Sequence, residues 1–200
     1  MDLRIAFVPV GRMDAAEVEA VAGRIAKVVS KTVELRETTP TPKAGDDTTR
    51  GQHLAGPMLA ELRGALPRLK VAKLVGGAPA TAPVPTIAQA DVALFITDVD
   101  LFRPSTDGAF GEIDAAGRAA VLSVRRLREA FYRRKADPAK QRARLLKLSL
   151  YALGRVRGLP DCGDRSCAMS ATAALADIDM KPEKYCASCW RRLSTGAYRI

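Results

Sequence analysis

Four cysteines carry the clearest chemistry in the chain, and all of them lie in its last quarter. Cys162 and Cys167 form a C-x4-C pair, and Cys186 and Cys189 form a C-x2-C pair. Two short-spaced pairs drawn together from separate segments supply the four thiolates that a tetrahedral Zn²⁺ takes at about 2.3 Å. The competing assignments are two disulfides or four unrelated buried thiols. No cysteine precedes Cys162, and the opening MDLRIAFVPVGRMD does not read as an export signal. One structural zinc in a thiol-reducing cytoplasm is therefore expected. His53 is the single histidine. A mixed cysteine and histidine ligand set would have to recruit it from far away, so His53 is expected as a partly exposed helix residue.

The chain has 32 Lys and Arg against 22 Asp and Glu, a net charge of +10. Much of the excess falls between Arg125 and Lys147. There Arg126, Arg128, Arg133, Arg134, Lys135, Lys140, Arg142 and Arg144 are opposed only by Glu129 and Asp137. Such a stretch is either a solvated helix face with a mobile loop or a nucleic-acid footprint. Only Phe131 and Tyr132 interleave it for base stacking, which favours the solvated face. Asp98, Asp100, Glu112 and Asp114 form a second charged set that a relocated catalytic metal site would use. Acidic turns at strand ends are ordinarily solvated, and that reading is preferred. No apolar run reaches the roughly 18–20 residues of a bilayer span, so no membrane partner is expected.

Those residues need a scaffold, and 200 residues suit one buried core. The expectation is one domain over 1–200, with a sheet and helix part at 1–157 and a zinc-stapled part at 158–200. Leu3–Val10 reads as a buried strand. Asp14 with Glu17 can cap a helix whose apolar face is Val18, Val21, Ala22, Ile25, Val28 and Val29. Thr32–Glu37 is expected to return as a parallel strand, Thr38–Thr49 as a surface loop, and Gln52–Leu66 as a second helix. Gly76–Pro85 has linker composition. Val92–Ile96, Phe110–Ile113 and Ala119–Val124 read as strands. Pro138 can open a helix that runs to about Val156 and ends at Gly158 in a left-handed cap.

In this setting the chain resembles the archaemetzincins, small metzincin-type zinc peptidases. Their signature is H-E-x-x-H-x-x-G-x-x-H-C-x4-C-x-M, followed after a gap by C-x-x-C. The corresponding stretch here runs from Tyr151 through Gly158 and Asp161 to Cys162, Cys167 and Met169, then to Cys186 and Cys189, with a gap one residue shorter than the family's. ITDVDLF (96–102), FGE (110–112), GRAAVLSVRRL (117–127) and RGQHLAGPML (50–59) resemble the family's strand, edge-strand and second-helix segments. The resemblance covers most of the chain from Arg50 onward. It implies an α/β (α+β) fold: a mixed, mostly parallel twisted sheet packed with helices, and a C-terminal subdomain stapled by the four-cysteine zinc.

The resemblance also shows what this sequence lacks. The positions of the family's metal-binding histidines and general base are Tyr151, Ala152, Arg155 and Asp161. A carboxylate can replace a histidine as a zinc ligand, but a guanidinium has no lone pair and stays charged. No catalytic zinc and no catalytic residue are therefore expected. Arg155 and Asp161 are expected either to form a salt bridge in the metal's place, with Tyr151 filling the remaining volume, or to leave Arg155 reaching into solvent. The leading expectation is a pseudopeptidase that binds a peptide or protein partner in a vestigial cleft, by strand addition if Ala119–Val124 is the edge strand. Nucleic-acid binding through 125–147 is the alternative.

Overall fold

The computed structural model describes residues 4–76 and 90–195. Ile5–Val10 forms β1 and Ala15–Val29 forms α1. Asp14 caps α1 by accepting from the Ala16 N–H at 2.9 Å. Val33–Arg36 (β2) then pairs parallel to β1. Next come two short strands, Asp46–Asp47 (β3) and Gln52–Leu54 (β4), the helix Ala55–Ala65 (α2) and the strand Val71–Val75 (β5). Val92–Thr97 (β6), Leu101–Arg103 (β7), Thr106–Ala109 (β8), Gly111–Asp114 (β9) and Ala119–Ser123 (β10) follow. The chain finishes with Pro138–Val156 (α3), Leu175–Met180 (α4) and Ala187–Thr195 (α5).

The main sheet has the order β5-β2-β1-β6-β10-β9. Its four inner strands run parallel, and β5 and β9 close the two sides antiparallel. β1, β6 and β10 are buried at every residue, as a parallel sheet covered on both faces requires. The period of two sorts their side chains. Ile5, Phe7, Leu94, Ile96 and Leu122 join the core under α1 and α3, while Val8, Phe95 and Val121 pack with Met58, Leu59 and Leu62 of α2. A second sheet, ordered β3-β4-β7-β8, lies beyond the end of β6.

Three expectations change. Ala119–Ser123 is not an edge strand: β10 sits between β6 and β9, and among the described residues β9 is the edge on that side. The continuous burial of β10 is the mark of an inner strand, whereas β9 is half-buried beyond Gly111. The second helix starts at Ala55, because Gln52–Leu54 is drawn into strand pairing with β3 and β7. His53 consequently lies on β4 and is largely buried, with its Nε2 3.8 Å from Asp46 Oδ1. The 38–49 loop is pinned by a bridge between Val10 and Thr39 and contains β3. The expected linker falls, from residue 77 to 85, outside the described residues.

α3 is the element on which the site depends. Pro138 occupies its first turn, and the Asp137 side chain accepts from the Lys140 N–H at 2.9 Å. At the other end Gly158 adopts φ +84°. Its N–H donates to Arg155 O and that of Leu159 to Gly154 O, both at 2.9 Å, the two bonds of a Schellman motif. This turn carries Leu159–Cys162 away from the helix and directs Asp161 back toward Tyr151.

Candidate functional site

The turn after α3 leads directly into the cysteines. Cys162 donates its N–H to Met169 O at 2.8 Å, which sets the C-x4-C loop against the strand-like Met169–Ser170 segment. The start of α5 brings up Cys186, the residue before the helix, and Cys189 in its first turn. All four sulfurs lie within 4.8 Å of one another, and the Cys162 and Cys186 Sγ atoms are 3.9 Å apart. A tetrahedron with metal–sulfur bonds of about 2.3 Å has sulfur–sulfur edges of about 3.8 Å, so the set fits Zn²⁺. Backbone N–H groups already point at the sulfurs: Cys186 N to Cys167 Sγ at 3.2 Å, Met169 N to the same sulfur at 3.4 Å, and Cys189 N to Cys186 Sγ at 3.5 Å. Such donors favour thiolate over thiol. Burial works the other way on Cys189 and pushes its thiol up. Among the described residues, this is the one group of three or more His, Cys, Asp and Glu side chains close enough to hold a metal ion.

Next to the metal centre, β9 and α3 border a cleft of about 590 Å³. Arg103, Glu112, Ile113, Leu148, Tyr151 and Arg155 are on its walls. Glu112 is held by Arg103 Nε at 2.6 Å. The Tyr151 hydroxyl donates to Asp161 Oδ1 at 2.7 Å, and Arg155 Nη1 lies 3.8 Å from the same oxygen. Burial, and then that bond to the carboxylate, push the Tyr151 hydroxyl up to about 12, so it is a neutral donor at any ordinary pH. Met169 is fully buried beneath this cluster. A Cβ on Gly154 would sit 2.2 Å from its Sδ, so glycine lets the helix rest directly on the methionine.

Lys181 was not visible from the sequence, where it is one charged residue in a polar KPEK stretch. It is buried. Its ammonium donates to Ala168 O at 3.2 Å and to Ser170 O, and it lies 4.1 Å from the centre of the Tyr151 ring. Burial lowers its pKa to about 8. Lys181 thus braces the loop that carries Cys167 and Met169 against the floor of the cleft.

The other charged candidates are occupied elsewhere. Arg126 Nε and Nη2 grip Asp100 at 2.6 and 2.8 Å. Burial alone would raise the Asp100 carboxyl, but the bonds from Arg126 and Gln52 outweigh it and hold it below the ordinary value. Asp114 pairs with Arg63 at 2.5 Å. Arg144, almost wholly buried, joins Glu129 and Asp179 at 2.6 Å each. Arg134 and Lys140 also pair with Glu129. The stretch expected to contain a mobile loop forms two 3₁₀ turns, Arg125–Leu127 and Glu129–Tyr132. Several of its positive charges therefore serve the fold, opposed by Asp100 and Asp179 as well as Glu129. No described helix is long and apolar enough to cross a membrane.

Residues 86–195 match the sequence family described as peptidase family M54. The archaemetzincin of Methanopyrus kandleri is 30% identical over 158 residues, 79% of this chain and 75% of that protein. The chain belongs to peptidase family M54, the archaemetzincins. The archaemetzincin of Methanocaldococcus jannaschii is 33% identical over 110 residues, which span 55% of this chain and 60% of that protein. The crystal structure of the M. kandleri archaemetzincin superposes with a TM-score of 0.74 at 26% identity, covering 99% of this chain and 97% of its own. A zinc-dependent peptidase from Methanocorpusculum labreanum shares the fold, with a TM-score of 0.78 at 23% identity over 94% and 99% of the two chains.

Two groups of side chains thus lie at the end of α3, and only one has the chemistry of a zinc site. The four cysteines match a structural ion in ligand number, softness and spacing. The Tyr151, Arg155 and Asp161 group does not match a hydrolytic one. Asp161 alone offers a ready lone pair, Tyr151 keeps its proton, and Arg155 brings a fixed positive charge to the spot. Ala152 is fully buried and carries no group that can move a proton.

Proposed function

We propose that this archaemetzincin-family protein is a catalytically inactive pseudopeptidase that keeps the structural zinc and binds a peptide or protein partner in its cleft. The observation that supports it most strongly is Arg155 beside Tyr151 and Asp161 on the cleft side of α3. A guanidinium and a hydrogen-bonded tyrosine supply the charge and the cross-link of a metal, but neither can polarise a scissile carbonyl as a Lewis acid or activate a water. The β9 edge still borders the cleft, so an extended chain can add to it as a further strand. The 1–157 and 158–200 parts act as one unit in this reading, joined through Arg144 and Asp179. The cytoplasm, where thiols stay reduced, is the compartment that suits the zinc.

Hydrolysis is the direct test. Incubated with excess Zn²⁺ and a quenched fluorogenic peptide library, the protein is expected to release no fluorescence above buffer. The fourfold variant Tyr151→His, Ala152→Glu, Arg155→His and Asp161→His is expected to take up a second zinc equivalent. Cleavage by the unmodified chain that co-purifies with it and is abolished by Asp161→Asn contradicts the proposal.

A further inference from the structure

We infer that the cleft recognises a carboxylate, that of the free C-terminus of an extended peptide ending in an apolar residue, and that Arg155 is the group that grips it. The inference rests on the peptide-binding reading above and names its ligand. A guanidinium matches a carboxylate with two parallel N–H bonds, a geometry no metal-bound carbonyl needs. Arg155 is free to do this. Among the described residues its one hydrogen bond is from Nη1 to Leu159 O at 3.2 Å, and 3.8 Å to Asp161 Oδ1 is beyond hydrogen-bond range. Its side chain is 39% exposed, on the cleft wall.

The surrounding charges leave that role open. The other lining pair, Arg103 and Glu112, neutralises itself at 2.6 Å. The Asp161 oxygen nearest Arg155 already accepts from the Tyr151 hydroxyl. Of the charged groups that line the cleft, Arg155 is thus the one left without an opposite charge on the wall, with Asp161 3.8 Å behind it. Thr172, also on the wall, has a hydroxyl oxygen without a hydrogen-bond partner. Leu122 and Leu148, both buried, and half-buried Ile113 give an apolar surface in the same cleft. Among the described residues no strand pairs with the outer side of β9; Gly111 O there accepts from Arg103 Nη2 at 2.6 Å, and the remaining main-chain groups can take an extended ligand. An apolar side chain against the leucines, a main chain on β9 and a carboxylate on Arg155 together describe a peptide C-terminus.

The test is calorimetric titration of the full chain with three acetylated hexapeptides of alternating Ala and Val. One ends in Leu with a free acid, the second is its C-terminal amide, and the third is the amide with Glu as the penultimate residue. The acid is expected to bind about tenfold or more tightly than its amide, as two charge-assisted bonds allow. Arg155→Gln is expected to erase that difference and Arg155→Lys to keep part of it, with each variant still carrying one zinc as proof of folding. Equal binding of acid and amide, or a difference that survives Arg155→Gln, overturns the inference while leaving peptide binding intact. A Glu-bearing amide as tight as the acid overturns the C-terminal assignment. Failure of all three to bind contradicts the peptide-binding reading itself.

Discussion

Cys189→Ser is expected to strip the protein of its zinc and lower the melting temperature by about 10 °C or more. Cys189 is buried and sits in the first turn of α5, so a serine oxygen there is both a poorer zinc ligand and a newly buried hydroxyl. Structural zinc sites supply about 10–16 kcal/mol to the peptides they fold. Part of the C-terminal region also packs on the main core through Ile178, Tyr185 and Leu193, so only a share of that energy is lost. A loss of about 4 kcal/mol at roughly 2–4 °C per kcal/mol gives the stated shift. Residues 162–195 are expected to lose hydrogen-exchange protection first, while β1 and β6 keep theirs. Differential scanning calorimetry and hydrogen exchange read the two effects. An unchanged melting temperature in a zinc-free variant contradicts the structural role.

Arg144→Ala ranks next, at about 3–5 kcal/mol, the usual cost of removing one partner of a buried ion pair. Arg144 is 1% exposed and holds Asp179 with Nε and Nη2 at 2.6 and 2.7 Å, Leu127 O with Nη1 at 2.7 Å, and Glu129 at 2.6 Å. One side chain thus ties α3 to α4 and to the turn after β10. The loss depends on pH in a defined direction. The bond from Arg144 holds the Asp179 carboxyl below its ordinary value of 3.8. A lowered carboxylate stabilises the fold above that value and stops doing so as the pH falls through the depressed one. The stability gap between the native chain and Arg144→Ala, measured by urea unfolding, is therefore expected to be full at neutral pH and to narrow below about pH 4. A gap that widens in acid contradicts this assignment.

The parts of the fold legible in the sequence are those set by local pattern. β1 and β6 announce themselves as continuous apolar runs, and α3 by Pro138 at one end and Gly158 at the other. The parts that were not legible depend on partners far along the chain. Gln52–Leu54 looks like the first turn of a helix, because three residues cannot display a period of two; only pairing with β3 and β7 makes it a strand. β5, β7 and β8 are hidden for the same reason, or by mixed burial. The Gly-containing turn at 114–117 suggests that β9 and β10 are neighbours, but nothing local says that β6 covers the other side of β10, which is what makes β9 and not β10 the edge on that side. Likewise Asp179 meets Arg144 from 35 residues away, which made the basic stretch seem less opposed than it is.

At the site the sulfurs were legible from spacing alone, since few arrangements place four thiols so close in sequence. The cluster of Tyr151, Arg155 and Asp161 was approachable because residues four apart share a helix face and the Gly158 turn brings the chain back. Lys181 carried no signal, since a buried lysine is recognised by its surroundings and not by its neighbours in sequence.

In the proposed function one zinc remains, and side chains hold the place of a second. Metal analysis by inductively coupled plasma mass spectrometry, on protein expressed and purified without added zinc, tests it most directly. One zinc per chain is expected, lost in Cys189→Ser and retained in Asp161→Asn. A second equivalent that disappears in Asp161→Asn contradicts it.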